Sequence, residues 1–302
     1  MLSLFTRIVS FSSLLGSENV YDYDNRLRID ELKLTQDSTP QWKGHFRTQV
    51  RLDLSLVSQI LSGHFADIGS IQPGLSERFI RSSADGTMQP YAMYIPRNFN
   101  THRSNSLVVM LHGNGEAESE LLAYDFLRRD ADATGSILIA PWGRNSYNFR
   151  GLGYTDVEDV ISTVERVFRI DQQHVYLFGY SMGGFAAYEV AVKDTRPWRA
   201  IMSIAGSLLG EDTQAYMRTQ RRTPLYILTG KDDPEIPTEY PTQTASYLSS
   251  KLFAVSYYQQ PHGTHILATL QPIIDQSWGD MFNGTVRAMG PVVDPSDQVP
   301  HR

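Results

Sequence analysis

The chain has 302 residues, 41% hydrophobic and 20% charged, a globular balance that suits one large or two smaller domains. Lys+Arg is 27 against Asp+Glu 33, so the formal net charge is −6; with no block of five like charges, nucleic acid and anionic lipid are poor candidates as partners. There is no cysteine, which excludes disulfides, thiolate metal sites, Fe–S clusters and a cysteine nucleophile.

In chain order, residues 1–16 are moderately apolar, but their basic residue, Arg7, lies inside the apolar stretch rather than ahead of it, the reverse of a secretory signal. A helix that packs Phe5, Ile8, Phe11 and Leu15 is expected there. No apolar run approaches the roughly 18 residues of a membrane span. Leu27, Ile29, Leu32 and Leu34, then Val50, Leu52, Leu54 and Leu56, alternate with polar residues, and this period of two predicts half-buried strands. Residues 1–75 are therefore expected to form a small accessory segment, partly strand, packed on a main domain at 76–284. Residues 285–302 contain three prolines and are expected to be an irregular tail. Asn283-Gly-Thr285 is a formal glycosylation sequon and carries no weight alone.

From residue 76 strands alternate with helices. Arg78–Ser82 and Tyr91–Ile95 flank the hairpin-like turn Asp85-Gly86-Thr87. Apolar runs follow at Leu107–Leu111, Ile137–Ala140, Val175–Phe178, Ala200–Ile204, Leu225–Leu228 and Phe253–Tyr258, as expected of strands buried on both faces. Val157, Val160, Ile161, Val164 and Val167 recur at spacings of three and four, which predicts an amphipathic helix over Thr155–Phe168. The alternation predicts an α/β fold, a mostly parallel sheet with helices on both faces and working residues beyond the C-terminal strand ends.

Gly179-Tyr180-Ser181-Met182-Gly183 is a G-x-S-x-G sequence between an apolar strand and an alanine-rich helix, the context of a nucleophile elbow. Ser181 is the candidate nucleophile, because a tight strand-to-helix turn exposes its hydroxyl while small residues at 179 and 183 leave room for neighbouring backbone. Leu111-His112-Gly113-Asn114 ends an earlier strand; the Asn114 N–H, with that of Met182, is the candidate oxyanion hole, and His112 is a loop shaper. Of eight histidines, His45 and His64 lie in the accessory segment, His102 in a polar loop, His174 at the wrong strand end and His301 in the tail. His265, which follows the last strong strand, is the favoured base, with His262 the alternative. Lys231-Asp232-Asp233-Pro234-Glu235 supplies the acid. Asp233, extended by the following proline, is favoured over Asp232, and Glu235 would need a longer reach. The order Ser181, Asp233, His265 is nucleophile, acid, base.

The chain resembles the α/β-hydrolase superfamily of serine esterases. More closely it is similar to the prolyl-oligopeptidase-like "predicted peptidase" group, related to feruloyl esterases and polyhydroxybutyrate depolymerases. The resemblance rests on residues 85–96, Leu111-His-Gly113, Pro141-Trp-Gly-Arg144, Asp156–Ile161, Val175–Gly184 and Gly230–Pro237, within about residues 78–270. One departure is Tyr154, where an acidic residue is expected. The resemblance implies the α/β-hydrolase fold and ester hydrolysis through an acyl-enzyme on Ser181, His265 and Asp233. No cofactor or metal is implied, and the partner would be a small or polymer-linked ester.

Only 18 residues, 207–224, separate Gly206 from Leu225, enough for a loop and one short helix but not a large lid. Trp142 and Tyr180 stand at strand ends as candidate substrate-binding residues. For Trp142 core packing, and for Arg144 a surface ion pair, are open alternatives. A peptidase on the same triad and a non-catalytic binding protein on the same fold are the competing functions.

Overall fold

The computed structural model describes residues 40–66, 69–144, 148–208 and 212–287. The helix expected over Phe5–Leu15, the strands expected over Leu27–Leu34 and the tail beyond 287 lie outside these residues. Among the described residues, eight strands form one sheet: β1 (Gly74–Arg81), β2 (Met88–Ile95), β3 (Asn105–Leu111), β4 (Ser136–Pro141), β5 (Ile170–Tyr180), β6 (Ala200–Ile204), β7 (Leu225–Gly230) and β8 (Val255–Gln260). Their order is β1-β2-β4-β3-β5-β6-β7-β8. β1 and β2 form the expected hairpin, Arg81 opposite Met88, and β2 also runs antiparallel to β4; every pairing from β4 through β8 is parallel.

The strands expected from residue 76 onward are all present, β8 starting two residues later than its apolar run. Both sheet faces are covered. Leu107, Val109 and Leu111 of β3 pack with α4 (Leu152–Val167), α5 (Met182–Lys193) and α7 (Glu239–Ser250). Val108 and Met110 face the other way, toward α2 (Glu120–Ala123), α3 (Asp125–Thr134) and α8 (Gln271–Asn283). This alternation follows from the period of two in a strand, and explains why the runs are apolar throughout. α4 buries Val157, Val160, Ile161 and Val164, whereas Val167, the last residue of its expected stripe, is 42% exposed. Between β6 and β7 the described residues hold only the short helix α6 (Asp212–Thr219), and no large lid.

The strand expected over Val50–Leu56 is wrong. These residues lie inside α1, a helix over Pro40–Ser62. Among its described side chains the buried positions are His45, Gln49, Leu52, Asp53, Leu56, Val57 and Ile60, spaced by one, three and four, whereas Leu54, counted in the alternation, is 52% exposed. Three of the seven are polar, so the helical stripe is invisible to hydropathy. α1 is held against β1 by Gln59, whose Nε2 donates to the Glu77 carbonyl at 3.0 Å, and beyond the helix Phe65 meets Phe79 edge-on at 4.9 Å. No helix among the described residues is long and apolar enough to cross a membrane.

Candidate active site

β5 ends at Tyr180, and the chain turns sharply into α5 through Ser181, whose φ of 53° and ψ of −119° are rare for a residue with a side chain. Surrounding bonds hold this strained turn: the Ser181 N–H donates to Ile204 at 2.9 Å, and the Gly183 N–H to His112 at 3.0 Å. Glycine is required on both sides. A Cβ on Gly179 would collide with the Gly183 carbonyl, and one on Gly183 with the Leu111 carbonyl.

The loops after β7 and β8 bring the acid and the histidine to this turn. They are laced together by the Asp232 N–H donating to Gly263 at 2.8 Å and the Lys231 N–H donating to Gln260 at 3.0 Å. His265 Nε2 lies 2.9 Å from Ser181 Oγ, and His265 Nδ1 lies 2.8 Å from Asp233 Oδ2. The other Asp233 oxygen accepts the N–H groups of Glu235 and Ile236, each at 2.9 Å. The Tyr180 hydroxyl donates to the His265 carbonyl and steadies the loop from below. The alternatives, His262 and Asp232, pair with each other at 3.2 Å, with side chains 92% and 51% exposed.

Burial is the largest single influence on both members of the Asp233–His265 pair and works against charge on each; their mutual hydrogen bond and opposite charges, together with the other groups around them, outweigh it. Asp233, also bonded by two backbone N–H groups, lies below the usual carboxylate range. His265 lies above the ordinary histidine value, with the Glu235 charge adding to the effect of Asp233. Burial, reinforced by the Glu116, Asp233 and Glu235 carboxylates, pushes the Tyr180 phenol well up, so it remains a donor.

Asn114 is exposed at the cleft rim, next to Gly113, whose own N–H is taken by Glu116 Oε2 at 2.7 Å. Met182 opens α5, where the first N–H groups have no partner within the helix. His112 is fully buried, its nitrogens 2.9 and 3.0 Å from the Gly113 and Trp142 carbonyls, as befits a loop shaper.

The cleft above Ser181 encloses about 380 Å³. Tyr180 lines it, as its position suggested. Trp142 does not: it is 2% exposed, stacked behind His112 at 5.8 Å, away from the cleft. Arg144 is also turned away, bonded at 2.5 Å to both Asp85 and Asp156 with a side chain only 10% exposed. The sequence reading missed Phe46, Glu116, Glu120, Tyr124, Ile266 and Leu267, all of which line the cleft. No local motif marks them, because they come from three separate segments. Among the described residues no cluster of His, Asp and Glu has the geometry to hold a metal ion.

The Phospholipase/Carboxylesterase family model matches residues 155–269, which contain Ser181, Asp233 and His265. Probable feruloyl esterase C of Aspergillus oryzae is 28% identical over 139 residues, 42% of this chain and 52% of its own length. Feruloyl esterase C of Emericella nidulans is 26% identical over 161 residues, 49% and 56% of the two chains. The chain thus spans about half the length of the curated relatives it matches. Among solved structures, the fluorophosphonate-binding serine hydrolase F of Staphylococcus aureus gives a TM-score of 0.61 at 16% identity, over 70% of this chain and 100% of that one. The ferulic acid esterase of Anaeromyces mucronatus gives 0.58 at 15% identity, over 74% and 95%. The fold is that of the α/β-hydrolases, and the sequence likeness is to proteins named as esterases.

Proposed function

We propose that this chain is a carboxylic ester hydrolase working through an acyl-enzyme on Ser181. The observation that carries the reading is the hydrogen-bonded line from Asp233 through His265 to Ser181 at a strained elbow. An ionised Asp233 only accepts, so Nδ1 of neutral His265 carries the proton and Nε2 is left as the base. Nε2 takes the Ser181 proton as Oγ attacks the ester carbonyl. The tetrahedral oxyanion is met by the backbone N–H groups of Asn114 and Met182. The intermediate collapses, and His265 returns the proton to the departing alcohol. Water then attacks the acyl-enzyme with His265 again as base, releasing the acid and restoring Ser181. Side chains, backbone N–H groups and water suffice for this cycle.

The acyl group we assign is feruloyl or another bulky acyl. This is supported by the names of the sequence relatives and by the aromatic walls of the cleft, Phe46, Tyr124 and Tyr180. A fluorophosphonate should label the wild type and not Ser181→Ala. Acetyl, butyryl, octanoyl and feruloyl esters should all be cleaved faster than a matched peptide anilide, with feruloyl favoured. Labelling without ester cleavage would refute the esterase assignment, and faster anilide cleavage would make the protein a peptidase.

A further inference from the structure

Helix α1 lies outside the residues matched by the family model, yet it reaches the reacting centre: Phe46 lines the same cleft as Ser181 and His265. We propose that α1 is one wall of the substrate cleft, that Phe46 is a specificity-determining contact for the bulky group of the substrate, and that Glu120 fastens the wall in place. The inference rests on Ser181 being the nucleophile.

The fastening is specific. Glu120 spends both carboxylate oxygens on α1: Oε1 lies 2.8 Å from His45 Nε2, and Oε2 accepts from Gln49 Nε2 at 2.6 Å. Ser119 Oγ in turn donates to Gln49 Oε1 at 2.7 Å. His45 and Gln49 are one turn apart on the same helix face, so one carboxylate gripping both sets the rotation of α1 about its axis. The His45 and Glu120 side chains are only 5% and 12% exposed, and bonds so shielded from water are hard to exchange.

With that rotation set, the neighbouring Phe46 is held at the cleft. Its ring meets His45 edge-on at 5.5 Å, and His45 lies 4.3 Å from the ring of Tyr124, itself a lining residue. Phe46, His45 and Tyr124 thus form one aromatic layer, whose outer member is half-buried. Tyr180, Ile266 and Leu267 line the cleft as well. A planar acyl or alcohol group between such surfaces would gain contact area and ring stacking. A small acyl group such as acetyl needs little of this wall.

The test compares a feruloyl with an acetyl ester, and an aryl with a methyl fluorophosphonate. Phe46→Ala should lower the feruloyl-to-acetyl ratio of kcat/KM by about tenfold, or ~1.4 kcal/mol, mainly through a higher KM for feruloyl. Phe46→Tyr should restore most of the ratio. Glu120→Ala should lower it as well, because the wall is then loose, whereas Leu54→Ser on the exposed face of α1 should not. The aryl-to-methyl ratio of labelling rates should move in parallel. In the wild type, hydrogen exchange of α1 amides should slow when Ser181 carries the aryl phosphonyl group and stay unchanged with the methyl one. That measurement decides the matter even if Phe46→Ala fails to fold. Normal labelling with unmoved ratios, or equal α1 exchange in both adducts, overturns the wall. Absence of labelling by both phosphonates overturns the nucleophile and the wall with it, and labelling without ester cleavage overturns only the esterase assignment.

Discussion

Glu235 holds a carboxylate oxygen 3.7 Å from His265 Nε2, the nitrogen that meets the Ser181 hydroxyl at 2.9 Å. A negative charge therefore stands beside the atom that would accept the nucleophile's proton. It favours the imidazolium, one reason that His265 lies above its ordinary value of 6.5.

The pH profile should carry its signature. In the proposed cycle the base is neutral His265, so kcat/KM should rise with pH through the raised pKa and level off above it. Glu235→Gln removes a charge that favours protonation, and the acid limb should move to lower pH. Because the Glu235 side chain is 68% exposed, the displacement should shrink in high salt. Profiles for the two proteins at low and high ionic strength check this, and a limb that moves upward would contradict it.

Ester hydrolysis should separate the paired residues from their neighbours. Ser181→Ala should lower kcat/KM by about 10⁴–10⁶ and His265→Ala by nearly as much, since the two act as a unit. Asp233→Asn should be far more damaging than Asp232→Asn, and His262→Ala should cost little, because that pair is on the surface. Steady-state rates with circular dichroism to verify folding are sufficient, and reversal of either ranking would reassign that role.

Charge selectivity follows from the lining. Glu116, Glu120 and Glu235 line the cleft, Glu120 with its carboxylate bonded to α1, and among the described residues that line it there is no lysine or arginine. An ester carrying a free carboxylate should therefore be a poorer substrate than a neutral ester of the same size, with a penalty that declines as salt is added. Competition between a matched pair of such esters at two ionic strengths measures the effect.

Two glycines should respond oppositely to a methyl group. Gly183→Ala drives a Cβ into the Leu111 carbonyl and should cost at least about 2 kcal/mol, or prevent folding. Gly279, inside α8, has nothing within 4 Å of the added carbon, and Gly279→Ala should stabilise by about 0.5–1 kcal/mol. Denaturant melts give both values.

The legible part of the sequence was the part with narrow chemical requirements. Gly179 and Gly183 sit where no Cβ fits, and Asp233 precedes a proline, so their environments are written locally. The strands declared themselves because both faces of the sheet are covered. α1 did not, because its buried side carries His45, Gln49 and Asp53, and two of these are satisfied by Glu120 and Ser119, more than 65 residues away. Hydropathy counts such residues as exposed, and the accidental alternation of Val50, Leu52, Leu54 and Leu56 filled the gap with a strand. Trp142 failed for a related reason. Its place at a strand end was read correctly, but its ring stacks on His112 at 5.8 Å, a contact across more than twenty-five residues that no local motif announces.

The grip of Gln59 on the Glu77 carbonyl bears on how far this protein can be shortened. β1 is the last strand on its side of the sheet, and α1 lies along it. Cutting the chain at Gly74 would remove that cover and leave a rim of carbonyls and N–H groups, with Phe79 stripped of its partner ring. Such a rim recruits strands from other molecules. A trimmed version would thus lose α1 and gain a tendency to self-associate, and a shortened chain should start upstream of Pro40.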